Sequence, residues 1–183
     1  MNGAVLFRAA VLILLLPIPV MQAADRKQTE PAPTPTQITT AKKVFIANAG
    51  GDERWYDDPI FNGGPERAYN EFYAAMKSGG RYEIVGTPAD AELLFEIGLT
   101  APMVSGVGAR GDSLAVKPYD PQFRLVIRDP KTNALLWVFT EHVQWAILQG
   151  NRDKNFDQTL ARIVGDVQQL SAPSPAPADN AKP

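Results

Sequence analysis

The segment "GGDERWYDDPIFNGG", Gly50 to Gly64, holds the densest group of side chains able to do chemistry in this sequence. Asp52, Glu53, Asp57 and Asp58 offer hard oxygen ligands to a cation. Trp55 and Tyr56 offer aromatic faces on which a cation or a polar neutral ligand can stack. The acids do not follow the alternate spacing of an EF-hand loop, so the same residues also read as a solvated loop with its aromatics folded onto the domain edge. Four negative charges would repel phosphate despite the free amides of the helix that follows. If the chain binds a small ligand, Asp52, Glu53, Trp55, Tyr56, Asp57 and Asp58 are the residues expected to hold it.

Two further motifs share "SGVGARGDS", Ser105 to Ser113. Gly106, Gly108 and Gly111 keep the G-x-G-x-x-G spacing, but a dinucleotide site needs a helix N-terminus after its glycines. The extended "SLAVKPYDPQF" follows instead. Arg110-Gly111-Asp112 is a tripeptide of a kind that recurs by chance, and the stretch reads as a glycine-rich connection between two strands. His142 is the single histidine; it rules out a histidine-rich metal site and stands beside no recognisable nucleophile. The absence of cysteine removes disulfides, thiolate metal sites and cysteine nucleophiles. No catalytic residue and no cofactor is assigned.

Periodicity gives the elements that position these residues. "KKVFIANAG" is apolar on both faces, the mark of a central strand. "PERAYNEFYAAMKSGG" reads as a helix with Pro65 at its first position, Glu66 in the first turn and Gly79 and Gly80 as the stop. Ala68, Phe72, Ala75 and Met76 form its apolar stripe. "RYEIVG" is a second strand, and Thr87 caps a single helical turn begun by Pro88. "ELLFEIGL" alternates, with Leu93, Phe95, Ile97 and Leu99 on one face. "QFRLVIRDPKTNALLWVFTEHVQW" is two strands around an Asp-Pro turn, with Phe123, Leu125, Ile127, Leu135, Trp137, Phe139, Val143 and Trp145 facing inward. Glu141 falls among that set, which points to a strand end, a bulge, or a buried acid paired with an Arg. Phe156, Leu160, Ile163, Val164, Val167 and Leu170 mark a closing helix capped by Asp153 or Asn155, with Phe156, Leu160 and Ile163 expected against Trp137 and Phe139.

The order β-α-β-β-β-β-α predicts an α+β two-layer sandwich, a mixed five-stranded sheet with two helices on one face. The opposite face then carries Glu96, Arg124, Arg128, Thr140 and His142, with Leu94, Val126, Leu136 and Val138 among them. Opposite charges on neighbouring strands can pair there, and an exposed antiparallel face of that composition is a partner surface.

Residues 1–24 combine Arg8, the uncharged run "AAVLILLLPIPV" and small residues at Ala23 and Ala24, the pattern of a cleaved signal peptide. The run is too short to span a bilayer. Residues 25–41 and 171–183 are rich in Pro with Thr or Ala and read as disordered tethers, leaving 42–170 as one α+β domain. The 18 basic and 20 acidic residues give a formal charge of −2 without a basic cluster, which argues against nucleic acid. A periplasmic or secreted protein is expected, with no stable membrane anchor after signal cleavage because no lipobox cysteine exists.

The run "ADAELLFEIGL", then "FRLVIRDPKTNALLWVFTEHV" and a closing helix, resembles small exported bacterial domains. The layout is similar to the N-terminal domain of TolB and to CsgG-type envelope proteins. This resemblance implies an envelope location and a non-catalytic binding or assembly role, with another envelope protein as partner. The alternative is a metal-dependent hydrolase built on the acidic loop 50–64.

Overall fold

The strict alternation of "LLFEIGLT" makes β3, Leu93–Thr100, the middle strand of a five-stranded sheet in the computed structural model, which describes residues 32–51, 60–102 and 120–172. The sheet runs in the order β2 (Glu83–Ile84), β1 (Lys43–Gly51), β3, β4 (Gln122–Arg128) and β5 (Leu135–His142). β1 is parallel to both β2 and β3, whereas β3, β4 and β5 form an antiparallel meander. The helices are α1 (Thr36–Thr40), α2 (Arg67–Gly79) and α3 (Gln149–Leu170), with a 3-10 turn at Pro88–Asp90. The result is the expected α+β two-layer sandwich with a mixed sheet. The expected signal segment 1–24, the glycine-rich stretch Ser105–Ser113 and the expected tail beyond Ala172 lie outside the described residues.

One parity of the sheet builds the core. Val44 and Ile46 of β1, Leu93, Phe95 and Ile97 of β3, and Phe123, Leu125 and Ile127 of β4 share a buried cluster with Ala68, Phe72 and Met76 of α2 and with Phe156, Leu160, Ile163 and Val167 of α3. Alternate strand residues point to the same side, so both long helices cover one face of the sheet. Each Leu, Ile or Phe enclosed this way contributes about 1.5–3 kcal/mol. The Phe156 ring meets Phe123 edge-on at 4.8 Å and Phe61 at 5.2 Å. Trp137 and Phe139, expected to be buried against α3, are half-buried on β5 and pack against that same cluster, leaning on each other at 6.4 Å.

Several local expectations also change. Thr36–Thr40, read as part of the tether, is a helix whose Ile38 is fully buried; a single apolar side chain with a core to enter outweighs a polar, Pro-flanked context. α2 starts at Arg67, two residues after Pro65, and α3 starts at Gln149 with Leu148 at its N-cap, ahead of Asp153 and Asn155. Leu135 of β5 and Trp145 are exposed large hydrophobics, at 55% and 39%. The cause for Leu135 is a register shift: Ile127 pairs with Trp137 but Arg128 pairs with Leu135, so Leu136 is the extra residue and the phase inverts before it. Trp145 lies past the strand end. Val126, expected among exposed residues of the outer face, is 2% exposed.

A single side chain fastens the two ends of the domain. Arg81, just after α2, donates to the carbonyls of Thr39 at 2.9 Å and Ala41 at 3.2 Å, and to that of Ser171 at 3.4 Å. These are carbonyls that the ends of α1 and α3 leave without helical partners. Its guanidinium also lies 4.8 Å from the centre of the Tyr82 ring.

Candidate functional site

Two places follow from the sequence reading: the crevice where β1 ends and α2 begins, and the sheet face on which no described helix packs, called below the helix-free face. At the crevice, β1 bulges between Asn48 and Gly51, with Gly50 at φ 79°. Asn48 Oδ1 accepts the Gly50 amide at 2.8 Å, and Asn48 Nδ2 donates to Glu66 Oε2 at 2.5 Å, tying the strand end to the N-cap of α2. The six expected ligand residues, Asp52, Glu53, Trp55, Tyr56, Asp57 and Asp58, lie outside the described residues. What is described is the cleft at their exit. It is lined by Gly51, Phe61, Asn62, Arg67, Leu99 and Phe156, with about 20 Å³ open to a water-sized sphere. That is room for about one water.

The charged groups beside this cleft are already engaged. Arg67 donates through Nε to Glu71 at 2.7 Å, through Nη1 to Asp153 at 2.8 Å and the Asn62 carbonyl at 3.0 Å, and through Nη2 to Asp157 at 2.5 Å. Its guanidinium lies 4.1 Å from the Phe156 ring centre. Burial pulls its pKa down, but Glu71, Asp153 and Asp157 more than offset this, and it stands above its ordinary value. Asp153 also accepts the Asn62 amide at 2.9 Å and Asn62 Nδ2 at 2.6 Å. Burial pushes the Asp153 carboxyl up, yet the Asn62 amide, Arg67, Gln149 and the Asn62 side chain together hold it below the usual carboxylate value. The arrangement locks α2, α3 and the 60–64 turn to one another. Among the described residues, no group of three or more His, Cys, Asp or Glu is placed to hold a metal ion.

The second place assembles all five expected partner-surface residues on one face. Register sets Ala47, Glu96, Val126 and Val138 in one row across β1, β3, β4 and β5, then Gly98, Arg124 and Thr140 in the next, then Thr100, Gln122 and His142. Glu96 accepts from Arg128 Nε at 2.9 Å, a diagonal pair across β3 and β4 with both side chains about one-third exposed or less. Arg128 also donates to the Asn133 carbonyl at 3.3 Å, fixing the β4–β5 turn. Arg124, Thr140 and His142 are exposed, and Leu94 and Val138 are half-buried. His142 Nδ1 lies 2.8 Å from Asp120 Oδ2. The face thus combines one internal ion pair, the exposed cation of Arg124 with no side-chain partner among the described residues, and apolar surface between them.

Four contributors were not legible as such. Arg67 carried only the local signal of Glu71 four residues on; its other partners are distant in sequence. Asp153 and Asn155, read as caps, make tertiary bonds instead, Asn155 Nδ2 donating to the Gln144 carbonyl at 2.7 Å. Glu92 accepts the amides of Lys42 at 2.6 Å and Lys43 at 3.1 Å, and those bonds hold its carboxyl below the usual range. Of the readings of Glu141, the pairing with an Arg holds without the burial: Arg162 Nε donates to it at 3.2 Å, its side chain is 32% exposed, and it stands one residue before the end of β5. No described helix is long and apolar enough to cross a membrane.

No family model matches the chain, and no curated protein matches it. Among solved structures it is similar to a Xanthomonas campestris protein assigned to the DUF330 family model, at 10% identity and a TM-score of 0.46, covering 73% of this chain and 83% of that one. It is similar to a PelC dodecamer from Paraburkholderia phytofirmans at 14% identity and a TM-score of 0.41, covering 72% and 89%. It is also similar to a neuraminyllactose-binding hemagglutinin homolog from Helicobacter pylori at 12% identity and a TM-score of 0.39, covering 73% and 84%. A likeness to TolB or to CsgG-type proteins is not among these findings.

Proposed function

We propose that the chain is a non-catalytic binding or assembly module of the bacterial cell envelope, periplasmic or secreted, that meets another envelope protein through the helix-free face of its sheet. The observation that carries this reading is the composition of that face: Glu96, Arg124, Arg128, Thr140 and His142 share it with the half-buried apolar Leu94 and Val138, while α2 and α3 pack on the other side. A sheet face with apolar ground and a polar, positively charged margin has the make-up of a protein contact. The N-terminal apolar run supports the location.

Arg124 is the point of test, because it is exposed and its reversal leaves the core untouched. The tagged protein, retained in its own envelope extract, should enrich one partner, and Arg124→Glu should lower that enrichment about tenfold, the cost of roughly 1.4 kcal/mol at a contact. Melting of the variant should match the parent. Undiminished capture by both Arg124→Glu and Thr140→Arg would overturn the reading.

A further inference from the structure

β5 ends the sheet, and no described residue pairs with its outer side. The direction of its free backbone groups follows from register. Val143 donates to the Pro121 carbonyl at 2.8 Å, and Gln122 pairs with His142 and Phe123 with Glu141. In an antiparallel pair, hydrogen-bonded and open positions alternate, so Trp137, Phe139 and Glu141 turn their amides and carbonyls to β4. Those of Val138, Thr140 and His142 turn outward. The Arg162 guanidinium reaches the His142 carbonyl at 3.4 Å from α3, consistent with that direction. Edge strands are ordinarily protected by Lys, Pro or inward charges. β5 carries one such charge, Glu141, whose carboxylate is tied to Arg162, and a bulge at Leu136; the stretch between them, Trp137–Thr140, "WVFT", has none of these devices.

We propose that this edge is the contact through which two copies of the chain join, with the β5 strands antiparallel about a two-fold axis near Phe139. A two-fold contact must be complementary to itself, and this edge meets that condition in three ways. With Val138 of one copy opposite Thr140 of the other, outward amides and carbonyls face each other on both sides of the axis. The same register sets Glu141 opposite Trp137, so the two Glu141 side chains stand about 14 Å apart along the strand, beyond the screening length of about 8 Å at physiological salt. It also brings the start of one β5 to the end of the other. Leu135 at the start is 55% exposed and stands opposite Val143 of the other copy, and Ile147 and Leu148, four and five residues further on, are 82% and 67% exposed; exposed apolar side chains therefore gather at both ends of the contact. A parallel or shifted pairing would leave these apolar side chains in water or stack Glu141 on Glu141. The inference goes beyond the binding reading and stands or falls without it.

The test is the mass of the purified protein in solution, followed by sedimentation across about two decades of concentration, since assembly follows mass action. The expected result is a dimer for the parent. Val138→Pro removes an outward donor at an edge position that tolerates proline, and should weaken the dimer at least tenfold with little change in melting. Leu135→Glu combined with Ile147→Glu alters only exposed side chains and should do the same, which covers the case in which the proline variant does not fold. A parent that stays monomeric throughout, or a dimer that survives the double variant, overturns the proposal. A monomer that still captures an envelope partner sinks this inference alone; a dimer that captures nothing sinks only the binding reading.

Discussion

Replacing Arg67 with Met tests whether the bond network at the head of α2 and α3 stabilises the domain or merely decorates it. The guanidinium side chain is 13% exposed and its partner Asp153 is 19% exposed, so this pair is of the costly kind, a charged hydrogen bond out of bulk water contributing about 1.5–3 kcal/mol. Glu71 and Asp157, at 41% and 58%, are surface partners contributing at most about 1 kcal/mol each and often less. Stacking on Phe156 is of similar size, and Met keeps part of it through its stem and sulfur. The expected loss is about 3 kcal/mol at pH 7, read from urea unfolding with an unchanged slope. The pH dependence carries the sharper test. Asp153 is held below its unfolded value of about 3.9, so its contribution is present above that pH and is lost as pH falls through the folded value. In the Met variant the carboxyl has lost its cation and has less to lose. The gap between the two proteins should therefore close between about pH 4 and the acid limit of folding. A loss under about 0.5 kcal/mol at pH 7, or a gap that keeps its size in acid, would refute the reasoning.

Leu160, 5% exposed in the core under α3, should cost about 2–5 kcal/mol as Leu160→Ala in the same urea assay, and a near-zero change would place it on the surface. Gly98→Ala should cost about 1–3 kcal/mol, because the added Cβ would meet the Gly50 carbonyl oxygen at 2.9 Å and the Ala49 Cβ at 3.3 Å; a neutral result would mean that the β1 bulge yields freely.

The fold was legible where one force dominates. Leu93, Phe95, Ile97 and Leu99 alternate without interruption, and the stripe from Phe156 to Val167 repeats at helical spacing, so burial alone decides both elements. Reading failed where a decision belongs to distant partners. Nothing near Leu135 announces that the extra residue at Leu136 inverts the strand's phase. Asp153 and Asn155 have the chemistry of caps, and only the approach of Asn62, Arg67 and Gln144 assigns them other work. The sheet face was readable because alternation that points one set of residues into the core must point the other set away from it. The diagonal Glu96–Arg128 pair followed from register, which the sequence left open. The six acidic-loop residues remain where the sequence put them, outside the described residues.

The grip of Arg81 on Thr39, Ala41 and Ser171 means that the chain enters and leaves the folded region at a single corner. Such a domain can be treated as an insert: it can be spliced into a host protein at one point, or closed on itself through a short bridge and reopened elsewhere, because joining neighbouring ends asks little of the chain. It also means that a pull applied between the two ends acts first on one guanidinium and its carbonyls, and only afterwards on the sheet.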